Sequence, residues 1–377
     1  MKRVVQIFTG GWQNRLYAPE EICARLAKII GQISLDAVII GWNTDRAIYE
    51  QVGSFLKEKN IAMYLWMPVF SELHAFGKTD PVIDLWGRQT GEFALQEGES
   101  FAFQCPTSEK NRVLLSVVFE RYFTDCGFDG VFLDKIRSQS FVTGAEHVLG
   151  CCCPRCAARF AEQGVDLQAF KEQIDRRGIA DMLRPACFDP SDGFHFADPQ
   201  TEAFFRAKCA IYTQGIQRVT SAFRARGLKI GMDVYAPALA RLVGQDIDAL
   251  LPTADFIKPM MYRKTQAPAG IGFEYRAMQQ SLPGVDFNAV LGAGRNLEEM
   301  SDAFLAEQLR RKGNARLYSG IEVNYREDIA RTDAEYVRRS AASIRQSGCG
   351  GIVCSWDVML APDAHLAALT ESADTRA

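Results

Sequence analysis

The stretch Gly130-Val-Phe-Leu-Asp-Lys-Ile-Arg137 shows the pattern on which the fold prediction rests, a short apolar run that ends on a carboxylate. A near-continuous apolar run is typical of a parallel strand that is buried on both faces. Together with seven further runs of strand length, it gives eight predicted strands at residues 4–8, 37–42, 61–67, 130–136, 229–235, 255–262, 317–324 and 351–356. The chain is therefore expected to contain a parallel sheet.

Helical patterns separate these runs, at residues 19–32, 45–59, 109–126, 201–226, 238–251, 297–312 and 333–346. Pro19 followed by two glutamates is a typical helix start, and Gly348 lies where a helix is expected to end. Eight β-α units predict an α/β fold, a closed (β/α)8 TIM barrel, because crossovers keep one hand. A doubly wound sheet is the alternative, but no glycine-rich phosphate turn follows the first strand. A ninth apolar run, 287–291, is interpreted as part of an insertion.

Two predicted connections are much longer than ordinary βα loops. One spans residues 71–108, after the third strand, and the other spans residues 138–200, after the fourth strand, with short helices at 154–163 and 167–177. Loops that follow the strands of a barrel lie on its catalytic face. We therefore expect a single barrel domain over residues 1–377, with both insertions on the catalytic face.

Composition and charge exclude several classes of protein. The chain has 43 Lys and Arg against 46 Asp and Glu, so the basic excess of a nucleic-acid binder is missing. Its apolar runs are shorter than the roughly 18 residues that span a bilayer, and its N-terminus does not show a secretory signal pattern. We expect a cytoplasmic protein with neither nucleic acid nor membrane as a partner. The sequence leaves a homo-oligomer open.

Carboxylates lie at or just after the C-terminal ends of four predicted strands: Asp134, Asp233, Glu322 and Asp357. In a barrel these ends meet at one mouth. Because buried carboxylates are costly without partners, they either form ion pairs, for example with Arg137 or Lys258, or carry chemistry. Glycoside cleavage requires two carboxyl groups, one to protonate the leaving oxygen and one to attack the sugar carbon or activate water. The pattern thus indicates a glycosidase that acts on a carbohydrate substrate.

Aromatic side chains at strand ends favour the same interpretation, because sugar faces stack on aromatic rings, although ordinary barrel packing also uses such residues. Trp66 is one of them. The predicted substrate-binding residues are Arg137, Tyr235, Lys258, Tyr262, Asn324, Trp356, Asp357, Trp12 and Trp42. Strand alternation predicts that Lys135 and Arg137 face away from Asp134.

Three blocks of sequence resemble glycoside-hydrolase-like (β/α)8 barrels. GFDGVFLDKIR at 127–137 is similar to their GFDGIxLDxIR-type fourth strand. The strand at 231–235, the pair Gly244-Gln245 and DFIKPMMY at 255–262 are similar to the D-V-[FY], G-Q and DYIxPMxY blocks that follow it. The resemblance covers most of the barrel frame but not the insertions, and it implies a reaction class rather than a particular sugar. Through it, Asp134 matches the strand-four carboxylate, and Glu322 falls where many retaining barrel glycosidases have their nucleophile.

The resemblance leaves the roles of these carboxylates open. Relatives with a strand-four acid/base group generally use an Asn-Glu pair, whereas this chain has Leu133-Asp134. In other barrel families a strand-four Asp attacks, and Asp233 or Glu322 would then donate the proton. We rank the catalytic candidates as Asp134, Glu322 and Asp233. Two other functions remain open: a barrel that binds carbohydrate without cleaving it, and a lyase or aldolase that forms a Schiff base on Lys258.

The run Cys151-Cys-Cys-Pro-Arg-Cys156 places three thiols at C-x-C-x-x-C spacing, which suits tetrahedral Zn²⁺. We predict a structural zinc site formed by Cys105, Cys151, Cys153 and Cys156, and no organic cofactor. Cys152, Cys187 or His147 are alternative ligands, and reduced thiols without a metal are the other interpretation. A four-thiolate site leaves no open position for water, so its role would be structural. The cluster resembles the zinc-binding cysteines of family 42 β-galactosidases.

Overall fold

A computed structural model describes residues 1–90, 101–311 and 313–370 of the chain. The described strands, in chain order, are β1 (Lys2–Phe8), β2 (Ala37–Gly41), β3 (Ala62–Pro68), β4 (Gly130–Asp134), β5 (Pro185–Asp189), β6 (Gly193–Phe196), β7 (Lys229–Tyr235), β8 (Phe256–Met260), β9 (Tyr318–Glu322) and β10 (Gly351–Ser355). Eight of them form a closed parallel barrel in the order β1-β2-β3-β4-β7-β8-β9-β10. This confirms the predicted (β/α)8 barrel, since all eight predicted strands are the barrel strands.

Helices cover the barrel and its loops. The described α-helices are α1 (Pro19–Ile30), α2 (Arg46–Glu58), α3 (Glu109–Tyr122), α4 (Ala145–Val148), α5 (Pro154–Glu162), α6 (Leu167–Arg177), α7 (Ile179–Met182), α8 (Pro199–Arg224), α9 (Pro237–Ala240), α10 (Ile247–Leu250), α11 (Ile271–Ser281), α12 (Phe287–Leu291), α13 (Asp302–Leu309), α14 (Ala334–Ser347) and α15 (Asp363–Ala367). The helix predicted at 297–312 is confirmed as the shorter α13, and residue 312 itself lies outside the described residues. In the same described ranges, no helix is long and apolar enough to cross a membrane.

One predicted helix is wrong. The pattern at 238–251 predicts a continuous helix, but the structure has the short helices α9 and α10 separated by a turn at Gly244 with a φ of 84°. The side chain of Gln245 turns back and accepts a hydrogen bond from the backbone N–H of Tyr235, at 2.8 Å. Local tertiary bonding at the end of β7 therefore interrupts the helical pattern. The ninth apolar run forms α12 and is not a barrel strand.

The barrel closes through the register between its first and last strands. Val4 of β1 pairs with Ala37 of β2 on one side and with Val353 of β10 on the other. Inside the barrel, a Cβ at Gly320 of β9 would lie 2.6 Å from Cε of Lys258 on β8. The glycine is therefore needed at this position to make room for the lysine side chain.

The long connections carry their own structure. The segment after β3 includes an isolated antiparallel bridge between Pro81 and Gln104, while residues 91–100 of the predicted insertion lie outside the described residues. The segment after β4 contains α4 to α7 and then the hairpin of β5 and β6, which pair antiparallel. These segments supply residues to the site described next.

Candidate active site

A cavity of about 310 Å³ lies at the C-terminal ends of the barrel strands. Its lining includes three carboxylates, three basic side chains and several aromatic rings. From the strands come Gln6, Phe8, Trp66, Asp134, Asp233, Tyr235 and Met260. From the loops come Phe101, Lys135, Arg137, Tyr262, Thr265, Ala267, Pro268, Ala269, Arg326, Asp328, Ile329 and Trp356.

Asp134 is the last residue of β4 and lines this cavity, with 9% of its surface exposed. The indole N–H of Trp66 on the adjacent strand β3 donates to its Oδ2 atom at 2.8 Å. The backbone N–H of Lys135 donates to Oδ1. Two N–H donors thus fix the orientation of the carboxyl group.

Asp233 lies on β7, the strand next to β4, and its carboxyl group is almost completely buried. Lys258 Nζ is 2.9 Å from its Oδ2, while Oδ1 has no hydrogen-bond partner among the described residues. Burial raises the pKa of Asp233 to about 7, the nearby charge of Asp134 adds to the rise, and Lys258 opposes it. A carboxyl group with this pKa is half protonated near neutral pH, as a proton donor in catalysis requires.

Glu322 ends β9 as predicted, but it does not line the cavity. Its Oε1 accepts hydrogen bonds from the backbone N–H groups of Lys264 at 2.7 Å and Thr265 at 3.0 Å, and from the Thr265 hydroxyl at 3.1 Å. Its Oε2 accepts a hydrogen bond from the Tyr336 hydroxyl. The carboxylate is fully buried, and these bonds join the loop after β8 to helix α14.

Lys135 and Arg137 both line the cavity together with Asp134, so the prediction from strand alternation is wrong. Strand β4 ends at Asp134, and Lys135 has a φ of 51°, in the left-handed region. This conformation departs from the extended backbone of a strand and ends the alternation of side chains. Lys135 Nζ is 2.6 Å from Glu72 Oε1 in a buried ion pair.

Aromatic rings form much of the cavity wall. Three of the residues predicted to bind substrate lie on this wall: Tyr235, Tyr262 and Trp356. Trp66 also lies on it. The Tyr235 hydroxyl donates to Glu274 Oε1 at 2.7 Å, which fixes its ring. Rings held in this way can stack on the apolar face of a sugar.

The other predicted binding residues lie outside the cavity lining. Trp12 donates through Nε1 to the backbone oxygen of Glu72 at 3.0 Å, and Trp42 is fully buried behind the wall. Asn324 accepts a hydrogen bond from the backbone N–H of Trp356 at 2.9 Å, so it positions that ring.

Asp357 and Lys258 also lie outside the cavity lining, and both are held by hydrogen bonds. Asp357 accepts hydrogen bonds from the Tyr17 hydroxyl at 2.9 Å and from the backbone N–H of Met359 at 3.1 Å. Lys258 bonds to both Asp233 and the side-chain oxygen of Gln6, the latter at 2.9 Å. A Schiff base requires a free amine that substrate can reach, and these contacts do not favour it.

Sequence reasoning missed two kinds of cavity residue. Gln6 and Phe8 lie on β1, at alternate positions that face the barrel interior, and the period of the strand could have revealed them. Phe101 and Thr265 come from loops, for which the sequence carried no comparable signal.

Four cysteines form a second, separate cluster: Cys105, Cys151, Cys153 and Cys156. All four are buried, and their Sγ atoms lie within 4.8 Å of one another. Cys105 Sγ is 3.5 Å from Cys153 Sγ and 3.6 Å from Cys156 Sγ. Around a tetrahedral ion with Zn–S bonds of about 2.3 Å, sulfur atoms are about 3.8 Å apart. The cluster is therefore close enough to bind a metal ion.

The thiols of this cluster interact strongly. Hydrogen bonding with Cys151 lowers the pKa of Cys105 to about 7, and hydrogen bonding with Cys105 lowers the pKa of Cys153. Cys153 and Cys156 lie at the N-terminus of α5, and hydrogen bonding with Cys105 raises the pKa of Cys156. Cys187 is exposed on β5, outside the cluster, and the Cys152 thiol donates to Leu149 O at 3.2 Å.

Comparisons with known proteins support the fold. No protein-family model matches the chain, and no curated protein sequence matches it. The glycoside hydrolase domain of PgaB (BpsB) from Bordetella bronchiseptica is similar in structure, with a TM-score of 0.59, 16% sequence identity and 98% of each chain covered. α-L-Fucosidase isoenzyme 2 from Paenibacillus thiaminolyticus has a TM-score of 0.55 at 10% identity, over 98% of this chain and 48% of that one. At these identities the likeness concerns the barrel fold.

Proposed function

We propose that the protein is a glycoside hydrolase that cleaves a glycosidic bond with Asp134 and Asp233. The observation that carries the proposal is that these two carboxyl groups, from neighbouring strands, line one aromatic cavity at the mouth of the barrel. Their environments separate their roles. Trp66 and the Lys135 backbone fix the orientation of Asp134, while burial raises the pKa of Asp233 to about 7.

In this scheme Asp233 protonates the leaving oxygen, and the Asp134 carboxylate attacks the sugar carbon or activates a water molecule. Oδ1 of Asp233, which has no hydrogen-bond partner in the described part of the chain, is the atom that would carry the proton. Tyr235, Tyr262 and Trp356 would stack on the sugar and hold it against both groups. The similarity in fold to PgaB and to the fucosidase supports the general class and not the sugar.

Two conservative substitutions test this proposal. Asp134→Asn and Asp233→Asn each keep the size of the side chain and remove the chemistry of the acid. Wild-type protein should release reducing ends from at least one member of a panel of oligosaccharides and polysaccharides, and each variant should lose at least about 100-fold in rate. Circular dichroism and thermal unfolding show whether the variants remain folded. Full turnover in either folded variant would refute the assignment.

We also infer that the four-cysteine cluster holds a structural Zn²⁺ ion. Four buried sulfur donors fit a closed tetrahedral site, and the ion would connect the segment after β3 to the segment after β4. Elemental analysis should find about one zinc per chain, and Cys153→Ser should lose it and lower the midpoint of thermal unfolding. Cys187→Ser, which removes an exposed thiol outside the cluster, is the matched control. Purified wild-type protein without bound metal would refute the inference.

A further inference from the structure

The guanidinium group of Arg137 is a charge on the cavity wall that has no ionic partner among the described residues. Arg137 is 5% exposed and lines the cavity. Its Cζ lies 4.5 Å from the ring centres of Phe103 and Tyr235, so two aromatic rings hold the guanidinium plane. Its hydrogen bond among the described residues runs from Nη1 to the neighbouring backbone oxygen of Ser138, at 2.8 Å. No carboxylate oxygen of the described residues lies within 4.0 Å of its nitrogen atoms.

The other cations in and under the cavity are neutralised. Lys135 pairs with Glu72 at 2.6 Å, Arg326 with Asp328 at 3.2 Å, and Lys258 with Asp233 at 2.9 Å. Every cation of this group except Arg137 therefore has a carboxylate partner within the described ranges. The contrast shows that ion pairing is the rule in this cavity and that Arg137 departs from it.

Asp134 is the nearest candidate along the chain for a partner, but it has other bonds. Its Oδ2 accepts from Trp66 and its Oδ1 from the Lys135 backbone. A buried guanidinium cannot lose its proton, and it is costly to leave without a counter-charge. Among the described residues, no carboxylate satisfies the charge of Arg137, so the guanidinium is available to a bound anionic group.

We propose that Arg137 binds a carboxylate of the substrate, and that the substrate is therefore a glycan that contains uronic acid. This inference rests on the proposed glycosidase function and names its substrate class. The planar fork of a guanidinium group matches a carboxylate through two parallel hydrogen bonds, which a hydroxyl group cannot form. Because Asp134 and Arg137 line the same cavity, the acidic sugar lies at or next to the bond that is cleaved.

The test compares acidic glycans with their own neutral forms. The probes are oligomers of galacturonic acid, oligomers of glucuronic acid alternating with N-acetylglucosamine, and the same oligomers with each carboxyl group reduced to a hydroxymethyl group. Binding is measured by calorimetry and cleavage by product analysis. Wild-type protein should prefer the acidic member of at least one pair by about 10- to 100-fold, the value of one charge-assisted hydrogen-bond pair.

Variants identify the side chain responsible for the preference. Arg137→Gln should reduce the ratio between acidic and neutral members to near one. Arg137→Lys keeps the positive charge but not the planar guanidinium group, so it should reduce this ratio only in part. It replaces the glutamine variant in the test if that variant does not fold. Arg263→Gln is the matched control. Arg263 also lies beside an aromatic ring, but it pairs with Asp302 at 2.8 Å and lies outside the cavity lining, so the variant should keep the preference.

The outcomes separate this inference from the proposed function. Acidic oligomers that bind through Arg137 but are never cleaved would support the role of Arg137 and overturn the glycosidase proposal. Neutral oligomers that are bound or cleaved as well as acidic ones would overturn the role of Arg137. A preference that survives Arg137→Gln, or no binding by any member of the panel, would overturn it as well.

Discussion

The pKa of Asp233 leads to the sharpest prediction about the chemistry. Its ordinary value is 3.8, and burial raises it to about 7. At pH 7 about half of the Asp233 carboxyl groups then carry a proton, against roughly one in a thousand without the shift. Because a raised pKa extends the protonated form upward in pH, kcat/KM should be highest below pH 7. Above pH 7 it should fall about tenfold for each pH unit.

Asp233→Asn should remove this alkaline decline together with most of the rate. Losing a general acid costs about 10² to 10⁴ in rate for a leaving group that needs protonation. The assay compares an ordinary alkyl or sugar glycoside with a dinitrophenyl glycoside of the same sugar, whose leaving group departs without a proton. The rate of the Asp233 variant should fall much less on the activated glycoside than on the ordinary one. The rate of Asp134→Asn should fall on both glycosides, because attack on the sugar carbon precedes or accompanies departure of the leaving group.

Two results would refute this reasoning. One is an alkaline limb near pH 7 that persists in Asp233→Asn, which would assign the titrating group elsewhere. The other is an equal loss on activated and unactivated glycosides, which would mean that Asp233 does not protonate the leaving group. Circular dichroism at each pH provides the control for unfolding.

Three further substitutions test the contacts around this pair. Trp66→Phe removes the N–H that donates to Asp134 and should lower kcat by roughly 10- to 100-fold, the value of a hydrogen bond to a charged group. Lys258→Met removes the cation that lowers the pKa of Asp233, so the alkaline limb of the pH profile should move above pH 7. Glu322→Gln disturbs a buried network away from the cavity lining and should cost about 1–3 kcal/mol of unfolding free energy while turnover by the folded protein persists.

Each of these substitutions has a control or a contrary result. Trp86→Phe removes an indole N–H that donates to Asp175 at 3.0 Å on the surface, and it should leave kcat unchanged. An alkaline limb that stays in place in Lys258→Met would contradict the coupling to Asp233. Complete loss of turnover in stable Glu322→Gln would restore Glu322 as a nucleophile, and urea unfolding distinguishes the two cases.

The barrel could be predicted from the sequence because each of its strands can be recognised from its own residues. Runs such as that of β4 are apolar on both faces and too short for a helix, so their number and spacing define the closed sheet. The hairpin of β5 and β6 was not predicted. Three of the five residues of β5 are exposed, so the apolar pattern of this strand is weak. Helix α11 was missed although its buried positions include Ile271, Tyr275 and Met278, at helical spacing.

Only the site residues at the ends of strands could be predicted from the sequence. Strand-end position predicted that Asp134 and Asp233 lie at the mouth of the barrel, where both line the cavity, but it could not show that Glu322 lies outside the lining. The position of Glu322 depends on the loop after β8, whose backbone N–H groups bind its carboxylate. Likewise, the left-handed backbone of Lys135 brings Lys135 and Arg137 to the cavity, and a non-glycine residue in that region has no reliable sequence signal.

The cysteine cluster and the cavity share one segment of the chain. Phe103, which packs on the Arg137 guanidinium, lies two residues before Cys105, and its backbone oxygen accepts a hydrogen bond from Val82 at 3.1 Å. Cys105 in turn contacts the thiols that follow β4. A metal ion bound there would fix the position of Phe103 relative to the end of β4, and with it one face of the guanidinium. Because a fixed guanidinium loses less entropy when it binds a carboxylate, a structural metal remote from the chemistry would strengthen substrate binding.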